Sequence, residues 1–517
     1  MNTDKRRQSA SVLVSVLGLA VLSISGCMVG PNYIPPRTTA PAEWAGVAKA
    51  PTGQPFVATA GEADLTQWWR QFNDPTMTAL VEEAVKANFD LKIAEARLRQ
   101  ARASRGVAVG GLWPSASASG GYQRLHKAGT SGDQDLFQAG LDAVWELDLF
   151  GGLRRNVESA DAGIEAAMEG IRDAQVSLVA EVALNYVQLR GYQQEIIVAQ
   201  NNLEAQQRTA EITRKQFNVG FTSALDVANA DSTVATTEAQ IPVYETAARQ
   251  AIYALSVLLA RPPADLLKQL SPHGSLPTVP TEVPAGLPSD LLRRRPDIRE
   301  SEAQLHAATA QIGVAVADLF PVFSLTGTVN WNSNLLRTWW SEASRSFGVG
   351  PSVTWPIFQG GAIESNVRFQ EALRDQAFIT YRKTVLSALQ DVENALIAFA
   401  NEQRHRKALD DAVAANRKAV DLSLQLYTEG QTDFLNVASA QRALYATEDA
   451  LVQSNRNIAT DLIALYKALG GGGEPLQSRS PDPKDGASGI TTAKSHFKET
   501  AEERLTNNSE RQINAIK

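Results

Sequence analysis

The chain has 517 residues, 49 basic and 56 acidic side chains for a net charge of −7, and 44% hydrophobic composition. That balance suits a well-folded protein and argues against nucleic acid as a partner. A single cysteine excludes an intramolecular disulfide. The five histidines lack ligand spacing, and there is no Cys pair, phosphate loop or nucleophile elbow, so the sequence offers no metal site, catalytic residue or cofactor site.

The N-terminus reads as an address. Lys5, Arg6 and Arg7 precede an apolar stretch, Ala10–Ile24, too short for the ~20 residues of a spanning helix, so residues 1–26 are a signal peptide. Leu22-Ser23-Ile24-Ser25-Gly26-Cys27 resembles a bacterial lipobox, which implies lipidation of Cys27; the plainer alternative is an ordinary signal peptide with an incidental cysteine. Met28 stands where lipoproteins kept at the inner membrane carry Asp, which implies the outer membrane. No other segment spans a bilayer as a helix, so any crossing must use strands. Residues 27–64, rich in Pro, Ala and Thr, predict an extended lipid-anchored tether.

The rest repeats itself at an offset of about 207–210 residues. Asn88-Phe89-Asp90 is answered by Arg295-Pro296-Asp297, Gly106-Val107-Ala108-Val109 by Gly313-Val314-Ala315-Val316, and Leu112-Trp113-Pro114 by Leu319-Phe320-Pro321. Further on, Phe150-Gly151-Gly152 matches Phe358-Gln359-Gly360-Gly361, and Gly220 through Leu225-Asp226-Val227 matches Gly430 through Leu435-Asn436-Val437. The period far exceeds that of solenoid repeats, so this is a duplicated half-molecule. The first repeat occupies 65–270 and the second 271–470.

Each half predicts helices, a β-hairpin and a long helical hairpin. Trp68-Trp69…Asp74-Pro75 opens the first helix, with Asp74 as N-cap and Pro75 at N1. Hairpins follow over 114–150 and 321–358. Phe137, Ala139, Leu141, Ala143, Trp145 and Leu147 alternate with Gln138, Asp142 and Glu146; Phe323, Leu325, Val329 and Trp331 alternate with Ser324, Thr326, Thr328 and Asn330. The runs reach the ~9–11 residues of a tilted membrane strand, although a soluble sandwich with one wet face has the same pattern. Asp142, Glu146 and Asp148 could give a lumen negative charge, or simply form the polar face of a strand. Four strands cannot close around a lumen, and lipid does not tolerate open edges, so several copies must share one barrel. Residues 153–218 lack proline and 362–428 lack proline and glycine, which predicts helices of roughly 100 Å. Val182, Leu189 and Ile196 recur at seven, with Val179 and Tyr186 in the neighbouring row. Returning helices over 224–260 and 433–468 complete the long helical hairpins 153–260 and 362–468. The charged segment 471–517, with Pro481 and Pro483 and no apolar period, reads as a disordered tail.

Over roughly residues 22–470 the chain resembles the TolC-like outer-membrane factors, in their efflux lipoprotein branch. The lipobox, Gly30-Pro31-Asn32-Tyr33, Trp68-Trp69…Asp74-Pro75, Leu292-Arg293-Arg294-Arg295-Pro296-Asp297 and the two Gly-turn boxes carry the likeness. The resemblance implies an α+β membrane fold: a homotrimer with a 12-stranded β-barrel, four strands per chain, on a long periplasmic α-helical barrel. It implies a passive duct for small molecules, supplied by an inner-membrane pump of RND type through a periplasmic adaptor, with outer-membrane lipid around the barrel. Metal-ion efflux and type I secretion are alternatives within that class; a coiled-coil envelope lipoprotein without a pore is the alternative outside it. The resemblance also implies a periplasmic gate near Leu435, Asp433, Asn436 and Ser439, although Ser439 and Asn436 stand where relatives carry aspartate. Adaptor contacts fall on Gly220, Phe221, Thr222, Gly430, Gln431 and Thr432.

Overall fold

The computed structural model of the chain describes residues 28–38, 41–45, 57–59, 65–126, 133–280, 282–284 and 288–473. Cys27, the leader and residues 474–517 lie outside them. A short strand β1 (Val57–Thr59) precedes a 3-10 turn at Trp68–Phe72 and helices α1 (Pro75–Ala87) and α2 (Phe89–Gly110). Strands β2 (Ser115–Leu125) and β3 (Gln134–Leu147) lead into α3 (Gly152–Asn218) and α4 (Ala224–Leu258). After α5 (Leu267–Leu270) and β4 (Glu282–Pro284), which pairs in parallel with β1, the order recurs. The second set comprises α6 (Pro288–Arg294), α7 (Pro296–Ala317), β5 (Val322–Ser333), β6 (Arg345–Thr354), α8 (Ala362–Thr428) and α9 (Phe434–Ala468). The duplication extends to geometry: α3 and α8 both have 67 residues, and α4 and α9 both have 35.

The four long strands form one antiparallel sheet in the order β2-β3-β5-β6, leaving one edge of β2 and one of β6 unpaired among the described residues. Opposed residues share a face, so the register sorts the sheet into rows. Ser117, Asp142, Thr328 and Gly348 form one polar row; Ala118, Leu141, Val329 and Phe347 form an apolar one. On the apolar face Leu141, Leu325, Phe347, Val349 and Val353 are all exposed. At the helix end of the sheet, Trp145 Nε1 donates to Leu112 O at 3.0 Å, and its repeat counterpart Trp355 donates to Leu319 O at 3.1 Å. Asp148 does not continue the polar row. Its carboxylate accepts the N–H groups of Leu153 and Arg154 and the Arg154 Nε, so it anchors the start of α3.

Beneath the sheet, the short helices pack around the upper part of α3. Trp68, Trp69, Phe72 and Met77 are fully buried with Val179, Val182, Tyr186 and Leu189, the rows that recur at seven. Trp68 stacks on Tyr466 of α9, and the Tyr186 hydroxyl donates to Asp74 at 2.8 Å. Asp74 also accepts the N–H groups of Thr76 and Met77, as its N-cap role requires.

The opening residues of α2 and α7 repeat one lock. Asn88, the N-cap of α2, accepts from Asp90 N and Leu91 N while its Nδ2 donates to Leu258 O, at the C-terminal end of α4. Arg295, the N-cap of α7, grips Asp297 with two nitrogens, reaches Asp391 on α8, and donates to Ala468 O, at the C-terminal end of α9. Each lock fastens the end of a returning helix, where carbonyls have no helical partner, to the layer below the sheet.

The N-terminal segment is extended, but it is strapped to the body. Val29 N donates to Phe150 O, and the buried Arg155 donates to Val29 O, to Asn32 Oδ1 at 2.6 Å and to Glu158. Gly30 lies so close to Gly313 that a Cβ would sit 2.5 Å from the Gly313 Cα. Tyr33 stacks on His306 with its hydroxyl on Glu302, Thr38 meets Tyr381, and Ala45 N donates to Glu393 on α8. At the other end the body runs on to Gly473, past the boundary expected at 471. Gly472 N donates to Leu65 O, and Gly472 O accepts from Gln175 at 2.6 Å.

Replacing Asn88 with Ala removes a cap and strands the Leu258 carbonyl, an expected cost of about 2 kcal/mol. Thermal unfolding of the purified protein should report it as a lowered midpoint; an unchanged midpoint would mean the lock carries no stability.

Candidate functional site: the tips of the helical hairpins

The turns at the far ends of α3 and α8 are built alike. Phe221 N donates to Gln216 O and Gly220 N to Phe217 O; Gln431 N donates to Leu426 O and Gly430 N to Tyr427 O. Both glycines hold positive φ, +80° and +71°, the left-handed residue that such a helix end requires. A Cβ at either would meet no atom, so the backbone angle, not space, demands glycine there.

The returning helices then start differently. Ser223 and Asp226 form a reciprocal capping box on α4: Asp226 N donates to Ser223 Oγ, and Ser223 N donates to the Asp226 carboxylate. Thr222 and Ser223 hydroxyls also donate to that carboxylate at 2.7 Å. The Ser223 hydroxyl bond, helped by Thr222 and the Ser223 N–H, holds the Asp226 carboxyl below its ordinary range against the opposing effect of desolvation. On α9, Asp433 takes the N-cap position with no side-chain cap bond. Asn436 instead donates its amide to Thr432 Oγ1 at 2.7 Å. An amide donor has replaced a carboxylate acceptor, and the second tip lacks the box.

Packing reverses that inequality. Phe434, buried at 3% exposure, packs with Tyr427, Val437 and Ala438 against Ala210 of α3 and Ala230 of α4. Tyr427 donates to Thr213 and Gln441 to Thr209, so the second tip is fastened sideways to the first hairpin. Phe434 was not among the residues the sequence singled out. The repeat alignment held the clue, because its counterpart is the exposed Ala224.

The gate residues expected from the sequence share the opposite face. Asp433, Leu435, Asn436 and Ser439 are exposed, with Leu435 at 59%, while Phe434, Val437, Ala438 and Gln441 turn inward. Of the expected adaptor contacts, Gly220, Phe221, Gly430 and Gln431 are exposed, Phe221 at 84%; Thr222 and Thr432 are half-buried by their bonds to Asp226 and Asn436. No helix among the described residues is long and apolar enough to cross a membrane, and no cluster among them could hold a metal ion.

A sheet with one apolar exposed face, set on long paired helices, defines an outer-membrane channel of the TolC-like α+β fold. The chain belongs to the outer membrane efflux protein family, which matches residues 80–261 and 287–471. It is 32% identical over 469 residues to nodulation protein T of Rhizobium leguminosarum bv. viciae, covering 89% of this chain and 94% of that protein. It is 33% identical over 470 residues to the toluene efflux pump outer membrane protein TtgC of Pseudomonas putida, covering 89% and 96%. The solved outer-membrane channel OprN is similar with a TM-score of 0.79 at 37% identity, covering 87% of this chain and all of that one. The chain is thus an efflux channel component of the outer membrane with helices extending into the periplasm, and its family consists of ducts.

Phe434→Ala should cost about 3–4 kcal/mol locally and raise hydrogen exchange over 427–441, whereas the surface change Leu435→Ala should leave exchange there unaltered. Equal protection in both variants would contradict the sideways docking. The Asp226 box should hold above the ordinary carboxylate range near pH 3.9 and be lost as pH falls through its depressed value. Asp226→Ala should therefore expose the 221–230 amides at neutral pH, for about 1 kcal/mol; protection matching the unaltered protein would contradict the cap's role.

Proposed function

We propose that three copies of this chain close a twelve-stranded barrel and form a passive duct for small organic molecules, fed by an inner-membrane pump of RND type through a periplasmic adaptor. The carrying observation is the four-stranded sheet, with two edges unpaired among the described residues and an apolar exposed face. Lipid does not tolerate open edges, and four strands fall short of the eight found in the smallest membrane barrels. Three copies supply twelve strands. The cargo class draws support from TtgC, a toluene efflux pump component. Metal-ion efflux and type I secretion use the same kind of duct, and the lipobox favours efflux over secretion. Drug and metal susceptibilities of a deletion strain separate them: sensitivity to organic compounds is expected, and sensitivity to metals alone would transfer the assignment.

Cys27 is read as the lipid anchor. Met28, its neighbour, packs on Gly151 where the sheet meets α3, a level suited to an acyl chain entering the inner face of the membrane. The exposed strip with Asp433, Leu435, Asn436 and Ser439 forms the resting gate, with Leu435 as its apolar side chain. The glycine turns and their neighbours at 220–222 and 430–432 receive the adaptor. Leu435→Ala should widen the resting aperture and raise single-channel conductance in a planar bilayer; unchanged conductance removes Leu435 from the gate.

A further inference from the structure

The connection between β5 and β6 is not a plain surface loop. Two 3-10 turns, Leu336–Thr338 and Glu342–Ser344, are braced by hydroxyls: Ser333 meets Thr338, and both Ser341 and Ser344 donate to Thr338 O. The loop leans back onto the apolar face of the sheet. Trp339 packs on Phe137 of β3 with ring centres 5.8 Å apart and donates its Nε1 to Trp331 O; Trp340 packs on Trp331 of β5 at 5.4 Å. Tyr122 of β2 extends the aromatic group through Phe137. Despite this bracing, Leu335, Leu336 and Trp340 stay 52%, 64% and 65% exposed. Beside them Arg337 is exposed and makes no hydrogen bond or ion pair among the described residues.

We propose that this loop is a foot embedded in the outer leaflet, with lipid acyl chains against Leu335, Leu336 and Trp340 and the phosphate of a net-anionic lipid headgroup on Arg337. The inference rests on reading the apolar sheet face as the lipid-facing wall of the barrel. Three apolar side chains on a rigid loop demand cover that water does not give. Trp340 lies against Trp331, which shares the face bearing Leu141, Val329 and Phe347. The loop's indoles lie over the central strands β3 and β5, so a copy paired along the edge of β2 or β6 does not reach them first. Aromatic rings with a nearby cation are the composition that settles at a membrane interface.

The test uses bimane labels on Leu336→Cys, on Glu342→Cys as the water-side reference and on Leu141→Cys as the barrel-wall reference, with the unaltered chain giving the Cys27 background. Each is reconstituted into vesicles of phosphatidylethanolamine and phosphatidylglycerol. The label at 336 should be quenched by brominated lipid and lose quenching by aqueous iodide, as at 141, while 342 shows the reverse. Adding Arg337→Gln should abolish the extra blue shift at 336 in these vesicles relative to phosphatidylcholine alone. A lipid-quenched 141 with an iodide-quenched 336 would overturn the foot alone; an iodide-quenched 141 would overturn the barrel wall and the foot together. Protection of 336 from both quenchers would place it against protein and also overturn the proposal. An Arg337→Gln label indistinguishable from its parent would overturn the headgroup contact.

Discussion

A β-sheet edge is a row of backbone donors and acceptors that must be satisfied, and inside a bilayer no water is there to do it. Among its described residues this chain builds a sheet of four long strands and leaves both outer edges open, with an apolar face exposed beside them. Everything beneath the sheet is arranged as if to make that incompleteness safe. The two tryptophans donating to Leu112 O and Leu319 O fix the sheet to the helices at equivalent points. The contacts of residues 28–38 and 41–45, with the buried Arg155, tie the N-terminal segment to the body. A sheet held this firmly can wait for neighbouring edges without rearranging.

The duplication supplies near-equivalent staves, and its departures from symmetry fall where a duct needs them. In the layer below the sheet the two halves solve one problem with different side chains. Asn88 and Arg295 both hold the last carbonyls of a returning helix, but only Arg295 also reaches a third helix, through Asp391. At the tips the halves diverge further. The first turn is fixed by its own capping box, whereas the second is held by Phe434 and Tyr427 packing on its neighbour. A tip fastened from the side can be released from the side, while a self-capped tip stays as it is. The two tips are thus held by different means, one by its own cap and the other by side-on packing.

Much of this was legible in the sequence because it is local. The absence of proline and glycine across 362–428, the alternation from Phe137, and glycine at 220 and 430 each reflect a backbone rule acting over a few residues. Asp74 could be read as an N-cap for the same reason. What escaped depends on partners far away in the chain. Arg155 looks like one more helix charge until it closes on Asn32, and Asp148 looks like strand polarity until α3 begins beside it. Phe434 shows its role only against Ala210 and Ala230. The run Gly470–Gly473 reads as a flexible boundary, yet it is packed over Trp68, Trp69 and Val176.

The central claim is that the open sheet is completed by copies of itself. Native mass spectrometry of the full-length protein, extracted from the outer membrane in mild detergent, measures this directly. The account predicts one dominant species at three times the mass of the processed chain. A dominant monomer, or an assembly whose strands could not total twelve, would contradict it.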